Sequence, residues 1–139
     1  MAVLSITAAN VLGSSTATRS TQYKSAAAIT AGQLVYLNTS NAWALVDTDG
    51  SLGTASTDVR GIAENSAPGA AQPLTVVTTD SNFTVGVTST NGSVIYASVT
   101  AGAITIAEVP TTGAKPIVVG IFNSTTTAVI NIFATGVVI

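Results

Sequence analysis

The chain contains neither cysteine nor histidine. Those absences remove disulfides, thiolate nucleophiles, imidazole bases and nearly every zinc or haem site. They leave the redox compartment open, since a cysteine-free chain folds on either side of a membrane. Charge is scarce too. Arg19, Lys24, Arg60 and Lys115 face Asp47, Asp49, Asp58, Glu64, Asp80 and Glu108, for a net charge of −2, and 7% of residues are charged, against about 25% in an ordinary soluble domain. Four scattered cations do not form the cluster that neutralises phosphates, which argues against a nucleic-acid partner. No apolar run approaches the roughly 18 residues that span a bilayer, so no membrane partner is expected.

In place of charge there are Ser, Thr, Ala and Gly, with 47% hydrophobic residues overall. Such a surface repels its neighbours little and suits a subunit packed against others. At 139 residues the chain is long enough for one core and too short for two independent ones.

A short phrase occurs twice. Ala31-Gly32-Gln33-Leu34-Val35-Tyr36-Leu37 returns as Asn91-Gly92-Ser93-Val94-Ile95-Tyr96-Ala97, each a turn glycine launching a strand that carries a tyrosine. Gly32 to Gly92 and Tyr36 to Tyr96 are equally far apart, and a second pair, Gly61-Ile62-Ala63 and Gly120-Ile121-Phe122, is one residue closer. We read an internal duplication, approximately 28–87 and 88–139, within a single β domain over 21–139. Two copies are too few for a solenoid.

Residues 1–20 show no helical stripe. The opening is mildly apolar, but it lacks a charged start and is interrupted by Ser5, Thr7 and Asn10, so an extended arm is expected rather than a signal peptide. The polar stretch Gly13 to Thr18 would be its flexible tether. Its apolar anchors, Val3, Leu4, Ile6, Val11 and Leu12, would seat on a neighbour's surface or sheet edge; a frayed terminus is the alternative.

Further along, Asn38 to Asn41 reads as a turn, Ala42 to Val46 as a strand, and Trp43 as core. Leu74 to Thr79 and Phe83 to Val87 read as two strands with Asp80-Ser81-Asn82 turning between them, and Asn91-Gly92 as a hairpin signal. Pro116 to Phe122 reads as a strand buried on both faces, and Ala128 to Ala134 as another. The apolar end, Thr135 to Ile139, needs a sheet or interface to hold it. Many short strands and no convincing helix predict an all-β fold, a small barrel or sandwich built from two related units.

Chemistry is hard to find. Asp47 to Asp58 invites a calcium reading, but a calcium loop starting at Asp47 would put Leu52 where glycine belongs and Asp58 where glutamate belongs. Glu64 and Glu108 are an acid–base pair in principle only. Lys24-Ser25 has the wrong spacing for a Ser-Lys nucleophile. No catalytic residue, metal site or cofactor is expected.

The phrase Ala28 to Tyr36, then Arg60-Gly61-Ile62-Ala63 before a Pro/Gly-rich turn, then Gly92 to Tyr96, resembles the capsid decoration, or cement, proteins of tailed double-stranded-DNA bacteriophages. The resemblance covers most of the chain after Tyr23. It implies a small β-rich virion protein made in the bacterial host cytoplasm. It would be homotrimeric on the capsid exterior, stabilising the expanded head by bridging major capsid proteins, with the N-terminal arm reaching the lattice. Two other classes are the alternatives: a trimeric fibre or spike module binding a host glycan or protein, for which Trp43, three tyrosines and three phenylalanines are a thin supply of exposed aromatics, and a small β-fold hydrolase or lyase, which would need Glu64, Glu108 or Asp residues converging in a pocket.

Overall fold

The computed structural model describes residues 3–106, 112–134, 136 and 137. Its strands are β1 (Thr18–Ser20), β2 (Lys24–Ser25), β3 (Leu34–Leu37), β4 (Ala42–Leu45), β5 (Arg60–Ala63), β6 (Val76–Thr84), β7 (Val94–Ala97), β8 (Ile104–Thr105), β9 (Ile117–Phe122) and β10 (Thr127–Ala134). The one helical turn among the described residues is 3-10, at Ala8–Asn10. The protein is all-β.

The strands form one sheet in the order β2-β4-β3-β5-β6-β10-β9-β7-β8, with β1 joining β6 off that path. From its centre outward the path repeats itself. β6, β5, β3 and β4 follow one another on one side, and β10, β9, β7 and β8 on the other, all antiparallel. Register repeats too: Val35 lies opposite Gly61, and Ile95 opposite Gly120.

The ladder does not close, which corrects the expected barrel. Its end strands, β2 and β8, are two residues each and offer too little edge to pair. The two arms are stitched instead by single backbone bonds, Leu34 N–H to Gly102 O at 2.8 Å and Gly102 N–H to Val46 O at 2.8 Å. The curled sheet encloses one main core drawn from both halves, including Leu34, Ile62, Val77, Phe83, Ile95, Ile117, Phe122 and Ile130. A smaller cluster, with Ile29, Val35, Trp43, Ala67, Leu74 and Val76, covers the other face of the first half.

Three sequence expectations need correction. Asp80 to Asn82 does not turn the chain; it lies inside the continuous nine-residue β6, at a register irregularity opposite β10. A bulge and a turn draw on the same polar residues, so composition does not separate them. Asn91-Gly92 does form a turn, with Gly92 at φ 88°, but β6 and β7 on either side of it do not pair with each other. Lastly, β9 is not buried on both faces: Ile121 is 48% exposed.

Candidate interaction surface

The repeated backbone register carries opposite faces. In the first half Leu34, Ile62 and Val77 lie side by side across β3, β5 and β6, and all three are fully buried in the main core. The corresponding row in the second half, Val94, Ile121 and Val129 across β7, β9 and β10, faces outward, with Ile121 and Val129 exposed and Val94 half-buried. Side chains alternate with period two, so one residue of slip exchanges the faces completely. Both β7–β9 and β9–β10 pairings contain such an irregularity.

The outward row continues into Phe133, 63% exposed, which lies opposite Val118. Val118, Ile121, Val129, Asn123 and Asn131 rim a depression of about 390 Å³ over Gly120. No charged residue occurs from Pro116 to Ile139. Edge and surface strands usually carry charge that discourages association; this surface is apolar with amide trim.

Gly61 and Gly120 hold equivalent places because neighbouring backbone passes where a Cβ would stand, the Val77 carbonyl in one case and the Val129 carbonyl in the other. Gly32 and Gly92 both take positive φ, 94° and 88°, at the turns that start β3 and β7. The tyrosines of the two phrases sit in β3 and β7, both half-buried, and Tyr36 packs over Gly53.

The expected arm lies along its own domain. Leu4 N–H donates to Ile104 O at 2.9 Å, Thr7 N–H to Gly86 O at 2.8 Å, and Leu12 exchanges two backbone bonds with Thr84. Val11 is core, while Leu4 and Ile6 pack against it. Of the five apolar anchors only Val3 and Leu12, 41% and 61% exposed, remain outward. Between the arm and the end of β6 runs a groove of about 730 Å³, lined by Ser5, Thr7, Asn10, Thr84 and Thr126 among others, with no aromatic ring or charge.

The polar tether is fastened by carboxylates. Glu64 accepts from Gly13 N at 2.7 Å and from Arg19 Nε and Nη2 at 2.7 and 3.0 Å. Asp80, buried in β6, accepts from Ser14 N at 2.7 Å, from Ser14 Oγ, and from Asn82 N at 3.0 Å. The Arg19 hydrogen bond holds Glu64 below its ordinary pKa against partial burial. Burial pushes Asp80 up, but the Ser14 and Asn82 hydrogen bonds and the Arg19 charge outweigh it and leave it lowered. Glu64 is thus engaged structurally, and Glu108 lies outside the described residues.

Two other charged places are local fastenings. Arg60, buried, donates from Nε to Gly53 O at 2.6 Å and from Nη2 to Ala55 O. Asp47 caps a tight turn by accepting from Gly50 N at 3.0 Å, and its hydrogen bond and charge raise the pKa of Asp49. Among the described residues no cluster of three acidic side chains could hold a metal ion.

No known family, curated protein or solved structure matches the chain. The reading of its role therefore rests on the residues and surfaces above. Sequence reasoning missed the outward row and the two-carboxylate fastening. Apolar residues in both phases of β7 and β9 conceal which face is out, and Glu64 and Asp80 meet residues more than 50 positions away.

Proposed function

We propose that this protein is structural: a decoration protein on the exterior of a tailed-phage head that stabilises the expanded shell by bridging major capsid proteins. The observation that carries the reading is the uncharged apolar row of Ile121, Val129 and Phe133, exposed beside half-buried Val94, while its first-half counterpart is core. Such a surface gains from neutral contacts that salt screens little. Repetition over many lattice sites makes modest affinity at each sufficient. Self-association as a homotrimer on the shell, virion localisation and an absence of catalysis belong to the same proposal.

The contact is assigned first to β9 and β10 and second to Val3 and Leu12, because Val11 belongs to the domain's own core. The fibre or spike alternative would use the hydroxyl-lined groove beside the arm, which lacks the aromatic platform that sugars usually stack on.

The test is co-sedimentation with expanded, undecorated heads, comparing the full chain with an Ile121→Asp/Val129→Asp variant. Saturable, salt-insensitive binding that raises the head's melting temperature is expected, weakened at least 10-fold by the variant. No binding at micromolar protein would remove the reading and turn attention to a glycan screen.

A further inference from the structure

The outer face of β9 and β10 carries both a projection and a recess. Val129, Asn131 and Phe133, every second residue of β10, are exposed on it, and Phe133, 63% exposed, is its bulkiest outward side chain. The recess is the depression of about 390 Å³ over Gly120, rimmed by Val118, Ile121, Val129, Asn123 and Asn131. A cavity of about 150 Å³ holds benzene, so a phenyl ring has room there. Phe133 does not fill the recess of its own copy, because the rung of Val129 and Ile121 lies four residues away, about 13 Å along the strand.

A projection and a recess on the same face are what a two-fold pair requires. A two-fold axis between two facing sheets, perpendicular to the strands and crossing β10 at Asn131, reverses strand direction and carries each Phe133 over the other copy's recess. Both contacts form together, so association closes at two copies; a recess on a different face would give a ring or a filament instead. At the axis Asn131 meets the second copy's Asn131, and a carboxamide, being donor and acceptor at once, can satisfy its own kind. No charge between Pro116 and Ile139 opposes the approach.

We infer that in the free chain the outer face of β9 and β10 docks on a second copy of itself, in a reversible two-fold pair with each Phe133 seated in the other's recess. Ile121, Val129 and Phe133, with half-buried Val94, Val118 and Tyr96 beside them, expose on the order of 400 Å² of apolar surface per copy. With the polar rim a pair buries about 1,200 Å² in all, the lower end of the range for specific interfaces. Dissociation is therefore expected on the order of 10 µM, and below about 1 µM the chain is a monomer with the row open. The inference stands whether or not the protein binds a phage head; on a head the second copy would have to leave before the same face met a capsid protein.

Sedimentation equilibrium of the full chain from about 1 to 300 µM tests it, without heads. A monomer–dimer equilibrium is expected, weakened at least 10-fold by Phe133→Ser. Asn131→Asp, which sets two like charges against each other at the axis, should weaken it at least as much, and more at low salt than at high. A chain that stays monomeric at 300 µM overturns the inference, as does a dimer indifferent to Phe133 and Asn131, or a trimer in solution that Phe133→Ser breaks up.

A second measurement locates the axis and guards against a variant that fails to fold. Because the chain has no cysteine, Asn131→Cys and Thr125→Cys each supply a single thiol on an exposed position. Facing sheets about 10 Å apart hold two thiols at the axis beyond disulfide reach but within that of a short bifunctional thiol reagent. Thr125, six residues from the axis, lies about 20 Å along the strand. At about 30 µM protein the reagent should join Asn131→Cys chains at least 10-fold faster than Thr125→Cys chains, and adding Phe133→Ser should remove the difference. Equal rates at the two positions are random collision and overturn the pairing.

Discussion

The two arms of the sheet share connectivity and register but not cover. In the first arm both faces of β3, β5 and β6 are enclosed, one by the main core and one by the cluster around Trp43. In the second the inner face of β7, β9 and β10 joins the main core, while the outer row of Val94, Ile121 and Val129 is left to solvent or to a partner. The same pairing pattern therefore supports a closed layer and an open one. The difference comes from loops: Tyr23 to Ile29 and Ala67 to Leu74 supply residues over the first arm, and no described segment does so over β9 and β10.

The sharpest way to break this comparison is to truncate equivalent residues. Ile62→Ala should cost about 4 kcal/mol, as expected for a fully buried isoleucine, whereas Ile121→Ala should cost less than about 0.5 kcal/mol in the free protein. Denaturant unfolding of the two variants measures both, and similar losses would mean that the outer row is covered in solution. At the glycines the arms should agree. Gly61→Ala and Gly120→Ala each force a methyl group into a neighbouring carbonyl and should each cost about 3 kcal/mol; tolerance at one alone would show that the arms are not built alike.

Gly32 and Gly92 sharpen it differently. Both substitutions to Ala strain a positive φ, at about 1–2 kcal/mol, but only at Gly32 does the new Cβ also meet Ile6, at 2.7 Å. Gly32→Ala should accordingly be the more damaging in a thermal melt, and equality would mean that the arm leaves its seat readily.

The fastening of Gly13, Ser14 and Arg19 by Glu64 and Asp80 gives the smallest and most condition-dependent effect. Glu64 and Asp80 both have folded pKa values below their ordinary ones. Protons then bind the unfolded chain more readily, so the stabilisation is complete above the ordinary carboxylate range and is lost as pH falls through it toward the lower folded values. Amide protection of Gly13 and Ser14 should decline below about pH 4.5, before the core amides of Val77 and Val119 do. Glu64→Gln/Asp80→Asn should flatten that decline, and an unchanged pH profile in the variant would assign it to other groups.

Much of the strand inventory was legible because its signals are local. Gly32, Gly92 and the two tyrosines mark the equivalent starts of β3 and β7, and Asn38 to Asn41 form the turn they suggest, with Asn38 Oδ1 accepting from Ser40 and Ala42 at 3.0 Å. Facing was not legible. Leu34-Val35 and Val94-Ile95 place aliphatics in both phases, so alternation gives no direction and distant packing decides which residue is inside. The arm shows the same limit: Val11 and Leu12 are adjacent and similarly apolar, yet one is core and the other 61% exposed. Closure was also beyond local signals, since it depends on whether the short end strands β2 and β8 find each other.

Trp43 lies in the smaller cluster, fully buried, with the Tyr23 ring edge-on at 6.5 Å. As the single tryptophan, it makes the protein's intrinsic fluorescence a reporter on that cluster alone and leaves the main core optically silent at tryptophan wavelengths. A melt followed by emission and by far-ultraviolet circular dichroism therefore watches two different layers of the same sheet, and the interval between the two curves measures how far the outer layer loosens before the rest of the molecule.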